Sequence, residues 1–220
     1  MSRFDALILD FDGVLVQSVD VKTRAFAQLY AEHGTEVVAK VIDHHLVHGG
    51  LSRFEKFRHY HRVFLGRNLG AEEKAALGKR FSALVEDAVV AAPWVAGARE
   101  YLDSNHARLP VFVASGTPET ELLRIVQRRG MTHYFAGVHG SPRTKGEIIG
   151  TCIRERGLDG SRVLMVGDSI TDYEGAREAG VAFLGITQAR GVFPDAVVLL
   201  PDLTRLDQFM TSHHASPARL

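Results

Sequence analysis

Five short runs of the chain are almost entirely apolar, without the alternation of polar and apolar residues that a half-exposed strand shows. Such runs are typical of strands that are buried on both faces of a parallel sheet. They span residues 6–9, 110–114, 162–166, 181–186 and 196–200. Helical patterns at about 118–129, 145–157 and 171–179 separate the later runs. This alternation predicts an α/β fold with a doubly wound parallel sheet.

About a hundred residues separate the first run from the second, far more than one crossover helix needs. Four stretches of this interval have helical patterns, at 20–33, 36–47, 52–65 and 71–91. We therefore predict an all-helical cap domain inserted into the α/β core. The predicted limits are residues 1–15 and 93–212 for the core, 16–92 for the cap and 213–220 for a loose tail.

The charge balance and the cysteine count narrow the class of partner. Lys and Arg together number 26, the same as Asp and Glu together. The chain therefore has no overall positive field to hold nucleic acid or an acidic membrane surface, and we expect a small-molecule partner. The single cysteine, Cys152, excludes an internal disulfide and favours a reducing cytoplasm. No stretch is expected to span a bilayer, and the oligomeric state, monomer or dimer, stays open.

Polar side chains follow three of the predicted strands at the point where each strand ends. The three segments are Asp10-Phe11-Asp12-Gly13, Ser115-Gly116-Thr117 and Gly167-Asp168-Ser169. Ligands of open parallel sheets bind outside the carboxyl ends of the strands, so these segments are expected to line one crevice.

The carboxylates of this crevice predict a divalent cation. Asp10 and Asp12 follow one strand, and Asp168 follows another with Asp172 four residues further on. Several carboxylates in one place raise one another's pKa values unless a cation lies among them. Mg²⁺ suits an oxygen donor set better than zinc, for which Cys and His ligands are missing here.

An anion site is expected beside the carboxylates. In the segment from Ser115 to Glu119 we predict that Thr117 caps a helix and that Pro118 is its first residue, which leaves backbone N–H groups free for a phosphate. If Thr144 caps the next helix, Lys145 lies in its first turn, where the helix dipole disfavours a cation unless an anion is near. A carboxylate nucleophile, a divalent cation and groups that bind an anion together indicate phosphoryl transfer.

The chain resembles the haloacid dehalogenase-like hydrolase superfamily in these site residues and in their order along the sequence. The resemblance is strongest to its helical-cap group of phosphoglycolate phosphatases and β-phosphoglucomutases. The resemblance covers the whole chain and implies a Rossmann-like core, a helical cap and hydrolysis of a small phosphorylated metabolite. Four motifs carry it: Asp10-Phe11-Asp12-Gly13-Val14-Leu15-Val16, Ser115-Gly116-Thr117, Lys145, and Gly167-Asp168-Ser169-Ile170-Thr171-Asp172.

The resemblance implies a role for each catalytic residue. Asp10 is expected to be the nucleophile that becomes phosphorylated. Asp12 is expected to protonate the leaving oxygen and later to activate the hydrolytic water. Ser115 and Gly116 would hold phosphate oxygens, and Lys145 would neutralise the charge of the nucleophile and of the phosphoryl group.

The resemblance also implies the magnesium ligands. They are the side chains of Asp10 and Asp168 with the backbone carbonyl of Asp12, and Asp172 would organise the outer surroundings of the ion. The spacing of Ser169 and Asp172 is in addition that of a capping box, so Asp172 has a structural role open to it as well.

Some positions distinguish the chain from relatives with other chemistry. Dehalogenases of the superfamily lack an aspartate at the place of Asp12. The segment from Gly50 to Arg53 resembles the cap segment with which β-phosphoglucomutases hold a sugar phosphate, but Lys22 stands where those mutases have a histidine. Gln17 and Gly146 also depart from the usual pattern. Hydrolysis is favoured, and a phosphomutase or a non-catalytic phosphate-binding module stays an alternative.

The cap is expected to supply substrate contacts. Gly50, Arg53 and Thr117 are the candidates, for a sugar phosphate or a phosphoglycolate-like acid. Ser52 and Glu55 have the spacing of a capping box, and Arg53 then shares the unfavourable first-turn position of Lys145. The alternative for Arg53 is a solvated surface charge.

Overall fold

The computed structural model describes residues 3–187 and 192–212 of the chain. Its centre is one sheet of six parallel strands in the order β3-β2-β1-β4-β5-β6. The strands are β1 (Ala6–Leu9), β2 (Val111–Pro118), β3 (Gly137–Ser141), β4 (Val163–Gly167), β5 (Ala182–Ile186) and β6 (Leu199–Leu200). The predicted α/β class with a doubly wound parallel sheet is confirmed.

The strand β3 was not predicted. It lies at the edge of the sheet beyond β2, and its first three residues are only partly buried. An edge strand needs no continuous apolar run, and this one contains Gly137, His139 and Gly140. The strand predicted at 196–200 is shorter than expected, since only Leu199 and Leu200 pair with β5.

Helices flank the sheet on both sides. They are α5 (Ala98–Asn105), α6 (Glu119–Arg128), α7 (Lys145–Arg156), α8 (Ile170–Ala179) and α9 (Leu206–Thr211). The helices predicted near 118–129, 145–157 and 171–179 correspond to α6, α7 and α8, whereas α5 and α9 were not predicted.

The interval between β1 and β2 begins with a helical insertion. Its helices are α1 (Val19–Leu29), α2 (Thr35–Val47), α3 (Arg53–His59) and α4 (Ala71–Ala91), with a π-helical turn at Tyr60–Phe64 directly after α3. The two ends of the insertion are joined where Val16 forms an antiparallel bridge with Trp94. The helices agree with the sequence pattern, while the division into two domains stays a prediction and the predicted tail, 213–220, lies outside the described residues.

Alternate residues of the central strands pack into two separate cores. Leu7 and Leu9 of β1 belong to a core that continues into the cap, and Ala6 and Ile8 belong to a core on the opposite face of the sheet. All four side chains are fully buried, which explains why these strands are apolar throughout. Burial of one such leucine or isoleucine stabilises the fold by about 1.5–3 kcal/mol. None of the helices within residues 3–187 and 192–212 is both long and apolar enough to cross a membrane.

Candidate active site

The carboxyl ends of three neighbouring strands bring the predicted site residues together. Strand β1 lies between β2 and β4, so Asp10 after β1, Asp168 after β4 and Ser115 in the carboxyl-terminal half of β2 lie at the same edge of the sheet. Lys145 is the first residue of α7, whose start packs against the same edge. The expectation that separate segments meet in one crevice therefore agrees with the geometry.

Lys145 lies between two aspartates. Its Nζ is 2.6 Å from Asp10 Oδ1 and 2.6 Å from Asp172 Oδ1, and it also donates to the backbone carbonyl of Ala114 at 2.5 Å. Although burial opposes its charge, these carboxylates raise the pKa of Lys145 above its ordinary value. Lys145 is therefore a permanent cation beside Asp10.

The start of α7 fixes this lysine as the sequence predicted. The Thr144 hydroxyl accepts a hydrogen bond from Glu147 N at 3.2 Å, and Thr144 N donates to Glu147 Oε2 at 2.8 Å. This reciprocal capping box places Lys145 in the first turn. Asp10 and Asp172 supply the negative charge that a first-turn cation needs.

Three carboxylates form a group that fits a divalent cation. Oxygens of Asp10, Asp168 and Asp172 lie within 4.8 Å of one another. Burial and the neighbouring carboxylates raise the pKa of Asp10 to about 7, against the opposing charge of Lys145. Burial and the charges of Asp10 and Asp172 raise the pKa of Asp168 well above its ordinary value. A hard cation such as Mg²⁺ would favour the ionised carboxylates, and the donor set is all oxygen.

Glycine makes room for this group. Gly13 has a φ of 81°, and a Cβ at this position would lie 2.0 Å from Asp168 Oδ2. A side chain is therefore excluded at Gly13 both by backbone conformation and by contact with Asp168. Asp172 also closes the predicted capping box of α8, because Ser169 N donates to its Oδ2 at 3.1 Å. Its two oxygens thus serve different partners.

The side chain of Asp12 contacts the cap. Ser18 donates to Asp12 Oδ1 at 2.5 Å, Thr117 donates to Oδ2 at 3.2 Å, and the Lys22 ammonium is paired with Oδ2. Burial opposes the charge of Asp12, but the Lys22 ammonium and the hydroxyl donors hold its pKa below the usual range. Asp12 is therefore an oriented carboxylate. The use of its backbone carbonyl as a metal ligand stays a prediction.

The predictions that Thr117 caps α6 and that Pro118 is its first helical residue were wrong. Strand β2 continues through Thr117 to Pro118, and α6 begins at Glu119 without a side-chain cap. The Thr117 hydroxyl has other partners, because it accepts from Lys22 Nζ at 2.8 Å and donates to Asp12. The sequence could not distinguish a cap from this long-range contact.

Ser115, Gly116 and Gly50 lie where the cap meets the core. The Ser115 hydroxyl is buried and accepts a hydrogen bond from Thr117 N at 3.1 Å. A Cβ at Gly116 would lie 2.5 Å from the carbonyl oxygen of Gly50, and one at Gly50 would lie 1.9 Å from Thr171 Oγ1. The two glycines thus allow a close approach of cap and core, while their roles toward phosphate or substrate stay predictions.

Arg53 is paired with the core. Its guanidinium donates to both carboxylate oxygens of Glu121, at 2.9 and 2.5 Å, and to Ser82 Oγ at 2.9 Å. The predicted capping box of Ser52 and Glu55 is present. The alternative of a solvated charge is wrong, since Arg53 is 4% exposed. Arg53 also lines the cavity, and its contact with a substrate anion stays a prediction.

Lys56 is a cavity residue that the sequence motifs did not select. It is only 1% exposed, and its Nζ lies 2.8 Å from His45 Nδ1 and 3.2 Å from the carbonyl oxygen of Gly49. Burial, with the charge of Lys22, lowers the pKa of Lys56 to about 7. The sequence does contain a signal for Lys56. It lies three residues after the candidate substrate residue Arg53, and residues three apart share a helix face.

One cavity joins these groups. It has a volume of about 80 Å³ and lies between the core and the cap. Asp10, Asp12 and Asp168 line its core side, and Lys22 and Lys56 line its cap side. Fold and site together define an α/β enzyme whose buried carboxylates face an insertion-covered cavity at the carboxyl edge of a parallel sheet.

Comparison with known proteins identifies the family. The family model of the haloacid dehalogenase-like hydrolases matches residues 4–180. The chain belongs to this family.

Individual proteins are similar to this chain in sequence or in structure. A curated phosphoglycolate phosphatase of Agrobacterium fabrum is 33% identical over 121 residues, which are 51% of this chain and 50% of that protein. The match thus spans about half the length of the curated relative. A crystal structure of a predicted phosphoglycolate phosphatase from Haemophilus somnus has a TM-score of 0.74 at 18% identity, covering 95% of this chain and 99% of the other. A β-phosphoglucomutase from Clostridium difficile has a TM-score of 0.76 at 14% identity, covering 92% and 93%.

Proposed function

We propose that the protein is a magnesium-dependent phosphatase that hydrolyses a small phosphorylated metabolite through a phospho-aspartyl intermediate on Asp10. The observation that carries the proposal is the arrangement around Asp10. A buried carboxylate at the end of β1 lies beside a permanent ammonium, Lys145, and within one carboxylate group with Asp168 and Asp172. A carboxylate is a competent nucleophile toward phosphorus, and the transition state of phosphoryl transfer needs mainly positioning and charge neutralisation.

In the first half of the reaction an oxygen of Asp10 forms a bond to phosphorus while the bond to the leaving alcohol oxygen breaks. Lys145 neutralises charge on the nucleophile and on the phosphoryl oxygens. The Ser115 hydroxyl and backbone N–H groups near Gly116 hold phosphoryl oxygens. Asp12 carries a proton taken from solvent or kept from the hydrolysis step of the previous turnover, and it gives this proton to the leaving oxygen, which departs as the alcohol.

In the second half Asp12 accepts a proton from water, which attacks the phosphorus and releases Asp10 and inorganic phosphate. Ser18, Lys22 and Thr117 hold the Asp12 side chain in place, and their charge and hydroxyl donors favour the ionised form that accepts this proton. Mg²⁺, when bound by Asp10, Asp168 and the Asp12 carbonyl, supplies further neutralisation of phosphoryl charge.

The cap excludes water from the phosphorylation step. Close contacts such as that of Gly50 with Gly116 support a closed state around the substrate, and opening would release the alcohol. The free, buried Cys152 agrees with a reducing cytoplasm as the compartment.

Steady-state assays test this function. The purified protein should release inorganic phosphate from p-nitrophenyl phosphate when Mg²⁺ is present, and a chelator should stop the release. A panel of phosphorylated metabolites then ranks the substrates. Inorganic phosphate as product supports hydrolysis, whereas accumulation of an isomerised sugar phosphate supports the mutase alternative. Release of phosphate that is insensitive to the chelator contradicts the role of magnesium.

A further inference from the structure

Three cationic side chains of the cap line the cavity, and two of them have an acidic partner. Lys22 is paired with Asp12, and Arg53 is paired with Glu121. The third is Lys56. Within residues 3–187 and 192–212, no carboxylate forms an ion pair with Lys56.

The partners of Lys56 are neutral. Its ammonium contacts the imidazole of His45 and the carbonyl of Gly49. Burial, together with the charge of Lys56, lowers the pKa of His45 to about 3, so the imidazole is uncharged. It therefore accepts a hydrogen bond from Lys56 through Nδ1 and orients the ammonium without neutralising it.

A buried ammonium that lacks an anion is unfavourable, and a substrate anion in the cavity would relieve it. The phosphoryl group itself belongs at the opposite side, beside Asp10 and Lys145. Lys56 is therefore free to hold a second negative group at the far end of the substrate. A single ammonium beside a neutral histidine matches the single charge of a carboxylate better than the two charges of a second phosphate.

We propose that Lys56 is the specificity-determining residue that binds a carboxylate on the leaving alcohol, so that the preferred substrates are phosphate esters of small hydroxy acids. The inference rests on the proposed phosphatase function and narrows its substrate class. Phosphate esters of uncharged alcohols and sugars lack the group that Lys56 binds, and they leave its ammonium unpaired.

The kinetic test compares two esters that differ in the carboxylate, 2-phosphoglycolate and 2-hydroxyethyl phosphate. Wild type should favour 2-phosphoglycolate in kcat/KM by roughly 10- to 100-fold, the range expected for a buried hydrogen bond to a charged group. In Lys56→Met the ratio should fall toward one, mainly through KM. The control Lys40→Met removes an exposed lysine of the cap and should keep the wild-type ratio.

A binding test does not depend on turnover. In the presence of Mg²⁺, calorimetry compares 3-phosphonopropionate with propylphosphonate, which lacks the carboxylate. Wild type should bind the first more tightly, and Lys56→Gln, which keeps a hydrogen-bond donor but no charge, should bind both equally. If Lys56→Met fails to fold, the binding preferences of wild type and of Lys56→Gln still test whether Lys56 binds a carboxylate.

The outcomes separate the two proposals. Hydrolysis of p-nitrophenyl phosphate together with equal wild-type preference for both members of each pair overturns the role of Lys56 and leaves the phosphatase standing. A wild-type preference that survives in both Lys56 variants also overturns it. Absence of any phosphate release from these esters contradicts the phosphatase itself, whereas the phosphonate comparison still decides whether Lys56 binds a carboxylate.

Discussion

The guanidinium of Arg53 in the cap is joined to the carboxylate of Glu121 in the core by two hydrogen bonds, at 2.9 and 2.5 Å. Both side chains are 4% exposed. The Arg53 guanidinium also lies 4.5 Å from the ring centroid of Phe81. A buried bidentate ion pair thus fastens α3 to the start of α6, next to the cavity.

Loss of one partner of this pair should destabilise the protein strongly. Arg53→Met or Glu121→Gln should each lower the free energy of unfolding by about 3–5 kcal/mol, because a buried group is left uncompensated. The double variant Arg53→Met with Glu121→Leu should lose less than the sum. Urea denaturation measures both effects.

The exposed pair of Arg124 and Glu86 also joins α6 to the cap and is a matched control, with Arg124 52% exposed. Arg124→Met should cost at most about 1 kcal/mol. If the variants of Arg53 and Arg124 lost the same free energy of unfolding, burial of the pair of Arg53 and Glu121 would have no effect on stability.

Removal of the cation beside Asp12 should slow catalysis. Lys22→Met leaves Asp12 with its hydroxyl partners but without an ammonium, so its orientation and proton affinity both change. We expect kcat to fall by roughly tenfold, a part of the 10²–10⁴ that positioned proton transfer contributes. Thr117→Val removes a neutral hydroxyl that bonds to Asp12 and Lys22 but keeps the ammonium beside Asp12, and it should have the smaller effect. Steady-state kinetics on p-nitrophenyl phosphate would contradict this if Lys22→Met kept the kcat of wild type.

The metal site should be visible in thermal melting. Mg²⁺ at 100 times its dissociation constant should stabilise wild type by about 2.7 kcal/mol, and excess chelator should reverse the gain. Asp168→Asn should lose this response, and without metal it should melt at or above wild type because one of three crowded carboxylates is gone. The exposed Asp43→Asn serves as control. An undiminished magnesium response in Asp168→Asn excludes Asp168 as a ligand.

The preference for an acidic substrate should weaken as the pH rises. The pKa of Lys56 is lowered to about 7, so the ammonium fraction falls as the pH passes through neutrality. The KM for 2-phosphoglycolate should therefore rise between about pH 6 and pH 9 relative to that for 2-hydroxyethyl phosphate. Titrations that affect both substrates equally cancel in the ratio of the two KM values. A ratio that stays constant over this pH range would contradict the predicted role of the Lys56 charge. The groups that face or influence Lys56 are His45, Lys22, Arg53, Asp12 and Asp168.

The arrangement of the site could be predicted because it follows from topology. Residues toward the carboxyl ends of parallel strands meet at one edge of the sheet, so the sequence alone predicts that Asp10, Ser115 and Asp168 lie close together. Local capping signals were equally informative, since Ser52 and Glu55 form the capping box that their spacing indicates.

Other features of the structure depend on contacts between segments that are far apart in the sequence, and local patterns do not predict them. Glu121 is 68 residues from Arg53, and no local pattern marks the pair. Thr117 has the residue type of a helix cap, but a long-range partner, Lys22, takes its hydroxyl. Strand β3 was missed because an edge position tolerates Gly137 and His139, where a central strand would need apolar residues.

The covalent step can be observed by trapping it. Turnover of a phosphate ester with a labelled phosphoryl group is quenched with acid, and the protein is digested and mapped. Labelled phosphate should be found on the peptide that contains Asp10, in a linkage that hydroxylamine cleaves as expected for an acyl phosphate, and it should be absent from Asp10→Asn, which should not turn over. Turnover with no protein-bound phosphate in a quench faster than one catalytic cycle, or phosphate on a different residue, would contradict Asp10 as the nucleophile.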